Sequence, residues 1–161
     1  MGHQVGIIGG EGMTGLAILL ASDRSQHATY IQYAGKGLRI SAARLREADE
    51  RSNTLHRAML RYAHAFLAQT TTTALANGRS KVEERLARWL LMADDRIDSE
   101  ELPLTHEFLG IMLGTHRPGV TIAVQALEKA GLITTRRSHI TIVDRNRLEK
   151  SENGAYVTPE G

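Results

Sequence analysis

Cysteine is absent from the 161 residues. That excludes a disulfide framework, a thiolate zinc site, a cysteine-ligated iron–sulfur cluster and a cysteine nucleophile. Aromatic residues make up only 4% of the chain, too few for a platform that stacks single-stranded nucleic acid. Long hydrophobic runs are missing too. The longest apolar stretch lies near Gly15 to Ala21, far short of the ~20 residues of a membrane-spanning helix. The N-terminus has no basic segment followed by a cleavable apolar stretch, so a cytoplasmic protein with no membrane partner is expected. Seven histidines are scattered and none shows the H-x-x-x-H spacing with a helical acid, so neither a metal site nor a cofactor is expected. No Ser–His–Asp set is legible, and no catalytic residue is assigned.

What is present is charge in blocks, behind a net +2. Residues 1–50 balance five bases against five acids, and Arg51 to Ser80 carry four arginines and no acid. Asp94 to Glu107 turn to six acids against one base. Thr115 to Arg147 reverse this, with six bases (Arg117, Lys129, Arg136, Arg137, Arg145, Arg147) against Glu128 and Asp144. A basic stretch beside an acidic one makes a dipolar domain that steers one face toward a polyanion, or else simply a solvated surface.

Residues 4–40 read as short strands, QVGIIG, HATYIQYAG and GLRIS, joined by Gly-rich turns. Ser41 is placed to cap a short helix reaching Glu50. A long helix is expected from about Ser52 to Asn77. On it Leu55, Met59, Tyr62, Phe66, Gln69 and Thr73 recur in alternating steps of four and three, the seam of a two-helix contact. A second stripe, Leu60, Leu67 and Ala74, runs beside it. Two apolar stripes exceed one packed face, so a homodimer seam along the first and an intrachain face along the second are expected, against the alternative of one broad core face. The run Thr70 to Thr73 is a weak point for helix propensity. Asn77-Gly78 marks an expected break, after which Ser80 and Glu83 form a capping box for a helix ending near Ile97. Asp94, Asp95 and Asp98 are read as a helix end and a solvated loop.

Thr105 can cap a short helix starting at His106. Gly110 is small where a second helix must cross, and Gly114 can take the positive φ of a tight inter-helix turn. Val120, Ala123, Val124 and Leu127 then give the apolar face of a second helix, with Thr115 as its cap and Pro118 tolerated in its first turn. These offsets are the pattern of a DNA-reading helix-turn-helix. Gly131 ends that helix. LITTR and HITIV follow as two strands with Arg136 and Arg137 at the tip of a hairpin, a wing whose arginines can pair with phosphates. Arg117, near the N-terminus of the second helix, stands where a bidentate contact to guanine would form. Thr121 and Gln125 share its exposed face, and His116 is either a phosphate contact or merely exposed.

The segments VEERLARWLLMADDRI, ELPLTHEFLGIMLGTHRPGVTIAVQALEKAGLI and HITIVDRNRLE resemble the hinge, helix-turn-helix and wing of the Crp/Fnr family of bacterial transcription regulators. The likeness covers Ser80 to Glu149 and continues through the long helix. It implies an α+β chain with a partial, sensor-like β-roll over residues 1–50 and a dimerisation helix over 51–78. A winged-helix DNA-binding domain over 79–150 and a tail over 151–161 would complete it. It implies a homodimer on double-stranded DNA, with RNA polymerase as a further partner and with the small-molecule effector unknown. By resemblance the base-reading arginine falls on Arg117, with Pro118, Thr121 and Ile122 also facing the groove. The first helix's phosphate contacts fall on Thr105 and His106. Glu11 and the pair Arg24-Ser25 resemble the family's effector-phosphate cassette. The intervening GMTGLAILLASD departs from it, so tight cyclic-nucleotide binding is not expected.

Two alternatives stand beside that reading. One is a dimerisation partner that binds no effector. The other is a dinucleotide-binding enzyme fragment, since GEGMTG from Gly10 to Gly15 fits G-x-G-x-x-G after a possible strand. That fingerprint asks for an acid ~20 residues further on, where the chain reads TYIQYAG.

Overall fold

Ser41, Thr105 and Asp144 each stand just before a helix. In the computed structural model of the chain each side chain accepts a backbone N–H three residues on, from Arg44 at 3.4 Å, Phe108 at 3.2 Å and Arg147 at 3.0 Å. Each bond satisfies a donor that has no partner inside the helix. The structure describes residues 4–99 and 101–156. They divide into two units, residues 8–67 and a second unit made of 4–7 with 68–156.

In the first unit the expected strands do not form. Among the described residues, 4–41 contain only a three-residue 3-10 turn, Leu16–Ile18. The partial β-roll is therefore corrected to irregular chain. A strand needs a neighbour to satisfy its backbone and an opposing layer to bury its side chains, and Ile31 is 86% exposed. GEGMTG likewise follows no strand and precedes no helix long enough to hold a pyrophosphate. Its Gly12 lies against Tyr62 instead, where a Cβ would come within 2.4 Å of the Tyr62 hydroxyl. That hydroxyl donates to the Met13 carbonyl at 3.0 Å. Helix α1 (Ala42–Arg51) follows and buries Leu45.

Helix α2 (Asn53–Arg79) is 27 residues long and passes from the first unit into the second. The Thr70–Thr73 run stays helical, with the Thr72 and Thr73 hydroxyls donating to carbonyls four residues back at 2.9 and 2.8 Å. These bonds occupy hydroxyls that would otherwise compete for the helix backbone. Asn77-Gly78 does not break the helix, which closes at Ser80 with its N–H on the Ala76 carbonyl. A glycine in the last turn costs only about 1 kcal/mol against alanine.

On α2 the chain itself covers the stripe expected to form the dimer seam. Met59 and Thr73 of the anticipated dimer seam are buried within the single chain, and Leu55, Tyr62, Phe66 and Gln69 are half-buried. Gln69 accepts the Ile7 N–H at 2.7 Å, through its side-chain oxygen. The stripe assigned to the interior is the exposed one, with Leu60 at 44% and Leu67 at 64%. Spacing alone cannot tell which of two apolar stripes meets its own chain.

In the second unit α3 (Val82–Asp94) is enclosed, with every residue from Leu86 to Ala93 buried. Its cap lies one residue later than expected. The Lys81 N–H donates to the Glu84 carboxylate at 2.9 Å, in place of a Ser80–Glu83 box. Helices α4 (His106–Leu113), α5 (Arg117–Lys129) and α6 (Arg145–Ser151) pack around it. The Trp89 ring meets Phe108 edge-on at 6.0 Å, and its indole N–H donates to Gln4 at 2.6 Å. A short strand β1 (Leu102–Pro103) pairs antiparallel with β3 (His139–Ile142), which also pairs with β2 (Ile133–Arg136). The class is thus α+β, and no strand had been anticipated at Leu102.

Asp94 and Asp95 are not a merely solvated helix end. Both hold Arg145, Asp95 at 2.6 Å, and Glu149 lies 3.2 Å from the same guanidinium. Burial opposes that charge, but the bond to Asp95 and the two nearby carboxylates outweigh it and raise the Arg145 pKa. Tyr156 donates to Asp95 at 2.7 Å. Burial first, then that bond and the Asp95 charge, push its pKa up to about 12. Among the described residues no helix is long and apolar enough to cross a membrane.

A tyrosine that holds its proton more tightly when folded favours the fold below the unfolded-state pKa and loses that contribution as pH rises toward the folded value. Stability is therefore expected to fall between pH of about 10 and the folded-state value of about 12. Denaturant titrations of Tyr156→Phe should show a smaller loss across that window. Equal losses in parent and variant would remove Tyr156 as the source.

Candidate nucleic-acid interface

The crossing of α4 and α5 sets the site. Gly114 ends α4 at φ 58°, a left-handed turn that glycine enters without a Cβ clash. Gly110 faces the turn so closely that a Cβ would sit 3.0 Å from the Thr115 carbonyl oxygen and 3.9 Å from a Val120 methyl. Thr115 is not the cap of α5. Its N–H donates to the Gly110 carbonyl at 3.0 Å, and the cap position passes to His116, with Pro118 in the first turn. Val120, Ala123, Val124 and Leu127 are buried. The opposite face presents His116, Arg117, Pro118, Ile122 and Gln125, all exposed, at the i, i+4 and i+8 spacing of one helix side.

Beyond Gly131, β2 and β3 form a hairpin in which Arg136 pairs with His139 across the turn Arg137-Ser138. Both turn residues have positive φ, 49° and 67°, as the tight hairpin turn requires. The Ser138 carbonyl accepts the Leu104 N–H at 2.7 Å. Glu128 on α5 accepts both the backbone N–H and the hydroxyl of Thr135, at 2.8 and 2.6 Å. The hairpin is therefore tied to α5 and to the segment that leads into α4. Between them lies an open groove of about 420 Å³, lined by Thr105, His106, Glu107, Arg117, Arg137 and His139 among others.

Sequence reasoning missed Glu128 as the hairpin's anchor, since a glutamate in a last helical turn carries no such signal. It also missed Gly119, where a Cβ would lie 2.9 Å from the Thr115 hydroxyl.

The basic block divides into two roles. Among the described residues Arg117, Arg136 and Arg137 form no ion pair, and all three are exposed. Arg145 is neutralised by its carboxylates. Arg147 lies 3.8 Å from Asp144 and donates to the Ala130 carbonyl at 3.0 Å. The field that a polyanion meets thus comes from Arg117, the hairpin tip and Lys129 at the end of α5, which is exposed and in no ion pair among the described residues.

The other expected positions are placed as follows. Thr105 is exposed, with its hydroxyl oxygen engaged in capping. His106 is half-buried, its Nδ1 3.1 Å from the Thr121 hydroxyl, which itself donates to the Arg117 carbonyl at 3.1 Å. Thr121 is accordingly half-buried rather than open to the groove. Glu11 accepts the Gly9 N–H at 3.2 Å, and Ser25 donates to the His27 carbonyl at 3.0 Å. Arg24 is exposed beside them in sequence. These are local turn contacts, and Glu11, Arg24 and Ser25 line neither the groove nor the small cavity beside Trp89. Among the described residues no group of three or more His, Asp or Glu could hold a metal ion.

Residues 84–151 match the model of the Crp-like helix-turn-helix domain. The structure is similar to FixK2 from Bradyrhizobium japonicum, with 22% identity and a TM-score of 0.64 over 71% of this chain and 60% of that one. It is also similar to a CRP/FNR family transcriptional regulator from Thermus thermophilus, with 20% identity, a TM-score of 0.57 and coverage of 65% and 57%. A CRP family regulator from the same organism gives 19%, 0.54, 66% and 57%. The chain thus spans less than two thirds of the length of each. The two Thermus thermophilus neighbours are transcriptional regulators. No curated protein matches the chain.

If the hairpin tip meets phosphates, Arg136→Ala and Arg137→Ala should each reduce the slope of log affinity for duplex DNA against log salt by about 1. Arg145→Met should leave the slope unchanged while lowering the denaturation midpoint. A slope that responds to Arg145 and not to the hairpin would reverse the assignment.

Proposed function

Since residues 84–151 form a Crp-like helix-turn-helix domain, we propose that this protein is a sequence-specific, double-stranded-DNA-binding transcription regulator that acts as a homodimer. Helix α5 enters the major groove. The observation that carries this reading is Arg117, exposed and without an ion pair in the first turn of α5, in one groove with Arg137 of the hairpin. A guanidinium so placed can reach guanine with two parallel hydrogen bonds, and the hairpin sets register through phosphates. Pro118, Ile122 and Gln125 supply the remaining groove-facing side chains, and His116 and Thr105 stand at the backbone ends of their helices. RNA polymerase enters as the partner through which such a regulator acts, and Glu11, Arg24 and Ser25 as the positions an effector would meet.

The dimer seam belongs on the outer face of α2. Leu60, Leu67 and Leu75 are 44%, 64% and 54% exposed, at steps of seven and eight that keep them on one side of the helix. Apolar exposure of this kind marks an association surface. A homodimer with two-fold symmetry would present two α5 helices to successive major grooves ~34 Å apart.

DNA selection on the purified chain should enrich a two-fold-symmetric site whose affinity falls steeply with salt. On that site Arg117→Ala is expected to lose about 1–3 kcal/mol at the matching base pair. Equal behaviour of parent and variant toward native and base-swapped sites would refute the role of Arg117. No enrichment from a folded, dimeric chain would favour a dimerisation partner without DNA-reading activity.

Leu60→Glu should shift sedimentation from dimer to monomer, whereas Leu55→Glu, on the covered face, should act on folding. The opposite pattern would return the seam to the covered face.

A further inference from the structure

The outermost side of α5 is poor in hydrogen-bonding groups. Pro118, Ile122 and Gln125 follow one another in steps of four and three and all are exposed. That spacing puts them on one side of the helix, away from the buried Val120, Ala123, Val124 and Leu127. Two of the three side chains are hydrocarbon. Ile122 is 63% exposed, and Pro118 precedes it by one turn, at the start of α5. Thr121 beside them is half-buried, its hydroxyl 3.1 Å from the Arg117 carbonyl and 3.1 Å from His106 Nδ1. Its polar atom is thus engaged within the domain. Between Arg117 and Gln125 the outward side offers a base only apolar surface.

A single exposed isoleucine needs no explanation. This one lies among exposed bases, Arg117 before it and Lys129 after it, neither of them in an ion pair among the described residues. Such a setting suits a polyanion with an apolar feature of its own. In the major groove the edges of guanine, cytosine and adenine are polar, and the one apolar group is the 5-methyl of thymine. A hydrocarbon set against an amino group or a carbonyl oxygen strips it of water and returns no hydrogen bond. Set against the methyl, it buries carbon on carbon.

We infer that Ile122, with Pro118 beside it, is a specificity-determining residue that selects thymine by its 5-methyl group. This rests on the DNA-binding reading and deepens it, because it adds an apolar reading position to the polar one at Arg117. Discrimination has two sources here. Thymine gains the methyl contact, and every other base loses the hydration of a polar edge without compensation.

The test starts from the site that the full chain enriches from a random duplex library. Each thymine is replaced in turn by uracil, which pairs identically and lacks only the methyl. At one thymine in each half-site, uracil should weaken binding by the parent about fourfold, the worth of one buried carbon. Ile122→Ala should bind thymine and uracil there almost equally, and Ile122→Val should keep part of the preference. At the same position 5-methylcytosine, which restores the methyl, should bind more tightly than cytosine. Because the side chain is exposed, both variants should keep the parent's denaturation midpoint. A parent indifferent to uracil at every thymine would overturn the inference, and so would a preference that survives intact in Ile122→Ala. An Ile122→Ala chain with unchanged DNA binding and altered sedimentation would overturn it too, by giving the side chain to a protein contact. Each of these leaves the DNA-binding reading standing, whereas a parent that enriches no site would overturn both.

Discussion

A Cβ at position 110 would stand 3.0 Å from the Thr115 carbonyl oxygen, and the absence of that atom sets how closely α4 can lie across α5. Everything at the candidate interface depends on this crossing. The Thr115 N–H closes onto the Gly110 carbonyl, Val120 packs beneath with no exposed surface, and the helix that follows leaves the turn with Arg117 outward. A helix face can present base-reading groups only if its other side is held this firmly.

Around that crossing the chain uses charge in two distinct ways. Asp94, Asp95 and Glu149 converge on Arg145, joining the end of α3 to α6 and, through Tyr156, to the last described residues. Arg88, 5% exposed, gives its Nε–H to the Ala155 carbonyl, and burial lowers its pKa against the pull of Glu152. These are structural cations. Arg117, Arg136 and Arg137 are left without carboxylates and face solvent. An internal acid removes an arginine from the outward field as surely as a substitution would, so the count of bases in a stretch overstates what a polyanion meets.

The hairpin shows how a loosely specified element becomes fixed. Arg137 and Ser138 both occupy positive φ, a conformation that favours Asn or Gly, yet the turn is held by bonds from outside it. Leu104 donates to the Ser138 carbonyl, and Glu128 receives Thr135 twice. Local preference is weak there, and tertiary contacts supply the difference. The same principle works in reverse in residues 8–41, where strand-forming segments such as TYIQY find no neighbour and stay irregular.

What the sequence by itself determined are the features that depend on near neighbours along the chain. The caps at Ser41 and Thr105 are of this kind, and so are the apolar spacing of α5 and the positive-φ turn at Gly114. The exposure of Arg117, Ile122 and Gln125 belongs with them, because a side chain's place on a helix follows from its spacing. Only the tertiary structure decided which stripe of α2 is covered, since Leu55–Met59–Tyr62 and Leu60–Leu67–Ala74 are both periodic and apolar. It also decided that Asp94 and Asp95 would claim Arg145, some fifty residues away, and that Thr121 would turn its hydroxyl inward to Arg117 and His106. These outcomes rest on contacts between residues distant in sequence, and periodicity carries no information about which distant partner a residue will meet.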